Sequence, residues 1–440
     1  MFFEGDPQAV LSEIDSLMRS MSTFTDPQQM VTEYGKRIRM LMGNDGTVSL
    51  SRRGLEAPWY RITRSWAFQD SIDPWRQKDR LPLLDKGILG QMLYADSPQI
   101  INDFRADPAD PAYEHLAPFR SLMFMPQYDN GVATNMVVSG RRDPNAFKPD
   151  QMPVLLWMSN LFGRGVQALV MAKQLKEAYA RIDDELRVVA EIQRSLLPGQ
   201  LPGVKNLRLA AHYQTSQQAG GDYYDLFPLG DGRLGILIAD VSGHGTPAAV
   251  HMAITHTVAH APPAYPDTPA APARMLEHLN AKLVESFART GSGSATGAGG
   301  GGGGGFVTAF YAVFDPATRR LRFSSAGHNP PRVRSGSRVQ PVDGARDLPL
   351  GIMDGITYEE SSLDLSPGDL LLLYTDGITE ARGPGGPPTP LFGEHRLDDT
   401  LASGSDDPDA AIRRVVDGVE AFTGGSPPTD DRTLVAARVD

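Results

Sequence analysis

Two apolar runs in this chain each end on an aspartate followed by glycine: Gly235-Ile236-Leu237-Ile238-Ala239-Asp240-Val241-Ser242-Gly243-His244-Gly245, and Leu370-Leu371-Leu372-Leu373-Tyr374-Thr375-Asp376-Gly377. Short runs of this kind read as buried strands. A carboxylate at the mouth of a buried strand is costly unless something cationic sits against it. No lysine or arginine stands beside either aspartate in the sequence. A hard divalent metal ion is the natural counter-charge.

More acid lies nearby in the pattern. Gly220-Gly221-Asp222-Tyr223-Tyr224-Asp225 precedes the first run, and Asp430-Asp431-Arg432-Thr433 opens a last predicted strand, Leu434 to Val439. If these strands are antiparallel neighbours, the end of one meets the start of the next, and Asp240, Asp376 and Asp430 converge on one rim. Magnesium and manganese take oxygen ligands, and two such ions can generate a hydroxide and clamp a phosphoryl group. The pattern therefore points to metal-assisted phosphate hydrolysis.

Composition narrows the alternatives. The chain has 440 residues, enough for two or three cores, and two domains joined by a linker are expected. Its formal net charge is -11 without a strongly basic stretch, so it lacks a nucleic-acid footprint. There is no cysteine, which removes disulfides, thiolate zinc sites and a phosphocysteine route. Met1 to Asp6 carry no basic leader, and no stretch approaches the roughly 20 apolar residues of a membrane span, so a soluble cytoplasmic protein without membrane contact is expected.

Along the chain, Val10, Leu11, Ile14, Leu17, Met18 and Met21 have amphipathic helical spacing, which sets residues 1–25 apart as an N-terminal helix. From 26 to 165 helices and strands alternate: a helix over Met30 to Met42, strands over Gly46 to Ser51 and Tyr60 to Ala67, a hairpin over Leu122 to Tyr128 and Thr134 to Ser139, and a helix over Gln151 to Val170. A helix-flanked antiparallel sheet of this size fits a ligand-sensing module. Ser121 to Gly131, then Phe147 and a long exit helix, resemble a GAF domain, with a PAS-like domain as the rival reading. Trp59, Trp66 and Trp75 are expected in its core rather than around a ligand.

Ala168, Ala172, Leu175, Tyr179, Ile182, Leu186 and Val189 then repeat every 3 and 4 residues between charged flanks. That seam argues for a parallel coiled coil over 166–198 and hence a homodimer, against a single helix docked on its own domain. Pro198 ends it. Residues 199–440 interleave strands at 306–314, 320–325, 370–375 and 433–439 with helices at His251 to His260, Pro272 to Ala288 and Asp409 to Phe422. This count suits a helix-flanked β-sandwich. Gly291 to Gly305, ending in seven consecutive glycines, is expected to be a disordered loop and not a phosphate cradle, which needs a lysine and a following helix.

One resemblance binds these motifs together. Gln193 to Pro198, GGDYYD at 220–225, DVSGHG at 240–245, FVTAFYAVFD at 306–315, SAGHNPP at 325–331, LPLGI at 348–352, YTDGITEA at 374–381 and DDRT at 430–433 stand in family order. The chain resembles the RsbU/SpoIIE branch of the metal-dependent, type 2C-like (PPM) serine/threonine protein phosphatases. The resemblance implies an α+β chain whose C-terminal domain is an α-β-β-α sandwich with two Mn2+ or Mg2+ ions. It implies that Asp240 bridges both ions, that the Val241 backbone carbonyl joins it, that Asp376 holds one ion, and that Asp222 holds the second with Asp225 as alternate.

Asp430 is preferred to Asp431 as a further ligand, the other capping the turn, and Glu380 is a neighbour or a surface charge. His244 is open between metal ligand, proton donor to the leaving oxygen and structural hydrogen-bonder. Ser242 lacks the elbow spacing of a nucleophile, and His328 is expected to order its turn. The implied substrate is phosphoserine or phosphothreonine on a STAS-type anti-anti-sigma protein, under control of an unidentified signal at the GAF-like domain. The competing reading is a dimeric sensor whose phosphatase-like half binds a partner and turns over little.

Overall fold

The computed structural model describes residues 7–440 apart from 71, 244, 262–266, 291–304, 386–388 and 405. His244 and nearly all of the glycine-rich segment thus lie outside the described residues. The chain divides into two compact units, 1–180 and 181–440.

In the first unit, helices α1 (Pro7–Ser22) and α2 (Pro27–Met42) lead into a sheet. Asp26 starts α2 by accepting from the Gln28 and Gln29 backbone amides at 2.9 and 3.0 Å. The strands are β1 (Gly46–Ser51), β2 (Tyr60–Ser65), β3 (Leu83–Leu84), β4 (Gln99–Ile101), β5 (Ser121–Asp129) and β6 (Val132–Arg141), with α3 (Ile88–Ala95) and α4 (Tyr113–Leu116) between them. They order as β3-β2-β1-β6-β5-β4, every pair antiparallel. Alternation splits β5 between two cores: Leu122 and Phe124 pack with Val48, Ile62 and Leu89, while Met123 and Met125 pack with Leu17, Ile38 and Leu155. The architecture is compatible with a GAF-like fold.

Two expectations change here. Trp59, Trp66 and Trp75 are 42, 39 and 37% exposed rather than core. Each is amphipathic enough to sit at a rim: the Trp66 indole donates to the His115 carbonyl at 2.9 Å, and Trp75 lies under the Arg64 guanidinium at 5.1 Å. The exit helix, α5 (Met152–Ser195), is one continuous 44-residue helix. By length and composition it is also apolar enough to cross a membrane, contrary to the expectation that no segment approaches this. Part of that apolarity is used within the first unit, where Leu155, Met158, Phe162 and Val166 are buried.

The second unit contains two facing sheets. One orders β14 (Arg346–Asp347), β11 (Arg320–Ala326), β10 (Val307–Asp315), β9 (Leu234–Val241) and β8 (Tyr223–Pro228), with β15 (Ser361–Asp364) also on β11. The other orders β13 (Arg338–Pro341), β12 (Arg332–Ser335), β16 (Leu370–Tyr374), β17 (Arg432–Val439) and β7 (Leu207–Gln214). Between them Ile236, Ile238, Phe310, Leu371, Leu373 and Val435 form the inner core. Helices α6 (Thr246–Ala259) and α7 (Pro272–Thr290) cover the outer face of the first sheet through Leu237, Ala239, Met252 and Leu279. Helices α8 (Asp376–Thr379), α9 (Gly393–Ala402) and α10 (Pro408–Thr423) flank the second through Leu370, Leu372, Leu397 and Val415.

The result is the α-β-β-α sandwich. It explains why Leu370 to Leu373 is apolar without alternation: odd positions fill the inner core and even ones the helical layer, each worth about 2 kcal/mol. The GGDYYD segment does not merely precede a strand: its second half, from Tyr223, is the start of β8 and pairs with β9. Strands β7, β12 and β13 and helix α9 have no counterpart in the sequence reading; in β12, β13 and α9 the apolar positions are few and interrupted by arginine or acid.

Candidate metal centre

The acid cluster forms by a different route from the one the sequence suggests. Strands β16 and β17 are antiparallel neighbours, Tyr374 opposite Leu434, so Asp376 leaves one strand beside the point where Asp430 and Asp431 enter the other. Asp240, however, ends β9 in the opposite sheet, opposite Thr308 of β10. It reaches the other acids across the sandwich, not along a shared ladder. Asp222, just before β8, joins them from the same side, and its carboxylate accepts from the Thr375 hydroxyl at 2.7 Å and the Thr433 hydroxyl at 2.6 Å. These two bonds tie the sheets together at the rim.

The electrostatics follow from crowding in a dry place. Burial, then the charges of Asp222, Asp376, Asp430 and Asp431, push the Asp240 carboxyl up to about 9. Burial, then Asp430 and Glu380, push Asp376 up to about 6. Burial raises Asp222 well above the carboxylate range, with the two threonine hydroxyls working against it and Asp431 and Asp376 adding to it. Among the described residues, no lysine or arginine pairs with Asp222, Asp240 or Asp376. Carboxylates that converge, buried and without basic partners, are the donor set of a hard divalent cation, and Mn2+ or Mg2+ fits.

The two candidates at the strand opening are in different situations. Asp431 is buried and structurally engaged: one oxygen accepts from the Ser216 amide at 2.7 Å and its hydroxyl at 3.1 Å, the other from the Gly221 amide at 2.6 Å. It shapes the 216–221 loop. Asp430 is half-buried, receives the Asp431 amide at 2.9 Å, and is the charge that raises Asp376 most. The Val241 carbonyl points at Gly221, where an added Cβ would lie 2.8 Å from the oxygen, so only glycine admits this approach. Asp225 lies away from the group: strand alternation turns it to the helical face, with Tyr223, His256 and His260. Glu380 stays close enough to raise Asp376. The Ser242 hydroxyl accepts from the Phe306 amide at 2.9 Å.

Two contributors escaped the sequence reading, and a third has a larger part than expected. Thr375 and Thr433 stand next to recognised aspartates, yet a threonine beside an acid carries no signal until the two strands are seen side by side. His328 does more than order a turn. Its Nδ1 meets the Thr308 hydroxyl at 2.9 Å and its Nε2 donates to the Tyr374 carbonyl at 3.2 Å, linking the residue opposite Asp240 to the strand that delivers Asp376.

Comparisons with known proteins find relatives for the C-terminal part of the chain. Residues 230–440 match the SpoIIE family, described as Stage II sporulation protein E. Protein IcfG of Synechocystis sp. is 26% identical over 285 residues, 61% of this chain and 43% of that protein. Phosphoserine phosphatase RsbU of Bacillus subtilis is 30% identical over 209 residues, 47% of this chain and 57% of that protein. The chain spans about half the length of the curated relatives it matches. Among solved structures, the SiaA-PP2C domain of Pseudomonas aeruginosa is 25% identical and covers 60% of this chain and 99% of that one, with a TM-score of 0.49. Residues 230–440 thus match the SpoIIE family, and the C-terminal part of this chain is homologous to the phosphoserine phosphatases RsbU and RsbP of Bacillus subtilis.

Proposed function

We propose that the chain is a metal-dependent phosphatase that hydrolyses phosphoserine or phosphothreonine on a STAS-type anti-anti-sigma protein, under control of its N-terminal unit. The observation that carries this is the convergence of Asp222, Asp240, Asp376 and Asp430 from two sheets onto one rim. The relatives named phosphoserine phosphatases RsbU and RsbP support the substrate class.

Two Mn2+ or Mg2+ ions, when bound, would supply acidification of water and charge neutralisation at the phosphoryl group. Asp240, with Asp222, Asp376, Asp430 and the Val241 carbonyl, would hold them. The Thr375 and Thr433 hydroxyls orient the Asp222 carboxylate, leaving its second oxygen for a cation. Asp431 keeps the 216–221 loop, and so Asp222, in place. A covalent route through Ser242 has no support, since its hydroxyl is engaged with the Phe306 amide and no base is hydrogen-bonded to it among the described residues. A proton-donor role for His244 is part of the proposal and has its own test in His244→Ala.

The sensor reading rests on the GAF-compatible sheet, and the homodimer on α5. Leu175, Tyr179 and Ile182 are 58, 64 and 53% exposed at coiled-coil spacing, an apolar seam that a second copy would cover.

The test is release of inorganic phosphate from a phosphoserine STAS-type protein with Mn2+, then with chelator, for wild type and Asp240→Asn. Metal-dependent release lost in the variant is expected. Wild-type turnover in Asp240→Asn would sink the mechanism, and no release from any such substrate would favour a binding module.

A further inference from the structure

The first sheet carries a second constellation on its other face. Asp225 of β8 is buried beneath the C-terminal turn of α6, where His256 and His260 stand four residues apart and so on one side of the helix. His260 Nε2 lies 2.7 Å and His256 Nδ1 3.9 Å from Asp225 Oδ2, and one ligand atom from each of the three falls within 4.8 Å of the others. The other carboxylate oxygen is anchored by the Leu226 amide at 2.7 Å, which fixes the carboxylate's orientation. The Tyr223 hydroxyl also donates to Oδ2 and lies 3.0 Å from His256 Nδ1. Among the described residues no lysine or arginine pairs with this buried carboxylate, and the two imidazoles face it instead.

We propose that Asp225, His256 and His260 form a binding site for a borderline transition-metal ion of the Zn2+ class, separate from the acid rim. Two imidazole nitrogens and one carboxylate oxygen are a zinc-type donor set, whereas magnesium and manganese favour oxygen alone. Metal–ligand bonds of about 2.0–2.1 Å in a tetrahedron place ligand atoms about 3.3 Å apart, a value the two measured separations bracket. Small rotations of the half-exposed His260 ring bring the set into register. The turn at the end of α6 presents carbonyl oxygens, which favour a cation nearby. The half-exposed His260 opens the site to solvent.

An ion there would clamp the end of α6 to β8. Helix α6 starts a few residues after Asp240, and β8 begins directly after Asp222, so both clamped elements lead to the acid rim. The inference does not depend on the phosphatase reading, and its test separates the two.

Metal-stripped full-length protein is titrated with Co2+ in saturating Mg2+, which occupies oxygen-only sites. The expected result is uptake of one Co2+ with the visible absorption of tetrahedral nitrogen and oxygen ligation, displaced by Zn2+ and accompanied by a higher Tm. Uptake persists in Asp240→Asn and weakens about tenfold or more in His260→Ala and His256→Ala, with His260→Gln and circular dichroism controlling for folding. Uptake unchanged in the histidine variants, uptake abolished only in Asp240→Asn, or no uptake at micromolar Co2+ would each overturn the proposal and leave the trio as a hydrogen-bonded pair of histidines on an aspartate.

Discussion

Gly377, the residue after Asp376, offers a test in which two physical arguments predict opposite signs. It sits inside the short helix α8 with ordinary helical backbone, so helix propensity alone makes Gly377→Ala stabilising by about 1 kcal/mol. The packing says otherwise. A Cβ built at Gly377 would lie 1.9 Å from the Asp431 carbonyl oxygen, where ordinary contact starts at 3.4 Å. Backbone would have to give by about 1.5 Å, and the only parts free to give are α8, which carries Asp376, and the segment carrying Asp430 and Asp431.

Overpacking of this kind costs about 1–3 kcal/mol, a fall in Tm of about 3–10 °C for a unit of this size. A displacement of about 1 Å in groups that position a reaction lowers rate about 100-fold. Phosphate release in Mn2+ and thermal unfolding, measured on the same preparation of Gly377→Ala, are the assay. Loss of activity together with lower Tm is expected. A variant as stable as wild type or more so, with activity within twofold or so, would refute the claim that the close approach of α8 to Asp431 sets the acid cluster.

Three further outcomes follow from the same rim. Thr375→Val removes a donor to Asp222 and the acceptor of the Thr433 amide, bonded at 3.0 Å. It should destabilise by about 1–3 kcal/mol in urea unfolding, more than Thr433→Val, which removes only a side-chain donor; the reverse order would contradict the geometry. His328 is held near about 4 by burial, against an ordinary 6.5. Because the unfolded chain takes up a proton that the folded one refuses, this contribution is intact above pH 6.5 and is lost as pH falls toward 4, about 2 kcal/mol by pH 5. Urea unfolding at pH 7 and 5 should show that difference shrinking in His328→Gln, and an unchanged difference would assign the acid sensitivity elsewhere. Mn2+ at about 100 times its Kd should stabilise wild type by about 2.7 kcal/mol, reversibly with chelator and far less in Asp240→Asn, as thermal unfolding would report.

The parts of the fold that were legible in the sequence are those whose local pattern has one physical solution. Strands β9, β10, β16 and β17 announce themselves because both of their faces are buried and each carries a run of consecutive apolar residues, and α1, α7 and α10 because their apolar residues keep helical period. Strand β12 did not, since Arg332 and Arg334 sit fully buried there, with Arg332 held by Glu394 and Asp398 of α9 at 2.8 Å each. A buried arginine reads as surface until its partners are known. The tryptophans misled for the complementary reason: large aromatic area suggests a core, while an indole N–H and a flat face serve a rim equally well.

What the sequence determined by itself is the chemistry of the site: Asp222, Asp240, Asp376 and Asp430 are carboxylates next to strand ends, and acids gathered at the mouths of apolar strands call for a cation whatever the topology. What only the tertiary structure decided is how those acids meet. Asp240 comes from one sheet and Asp376 and Asp430 from the other, Asp431 is spent on the 216–221 loop, and Asp225 faces away toward two histidines. Adjacent positions on a strand point to opposite faces, so which acid belongs to which cluster depends on pairing partners up to about two hundred residues distant, as Asp222 and Thr433 show.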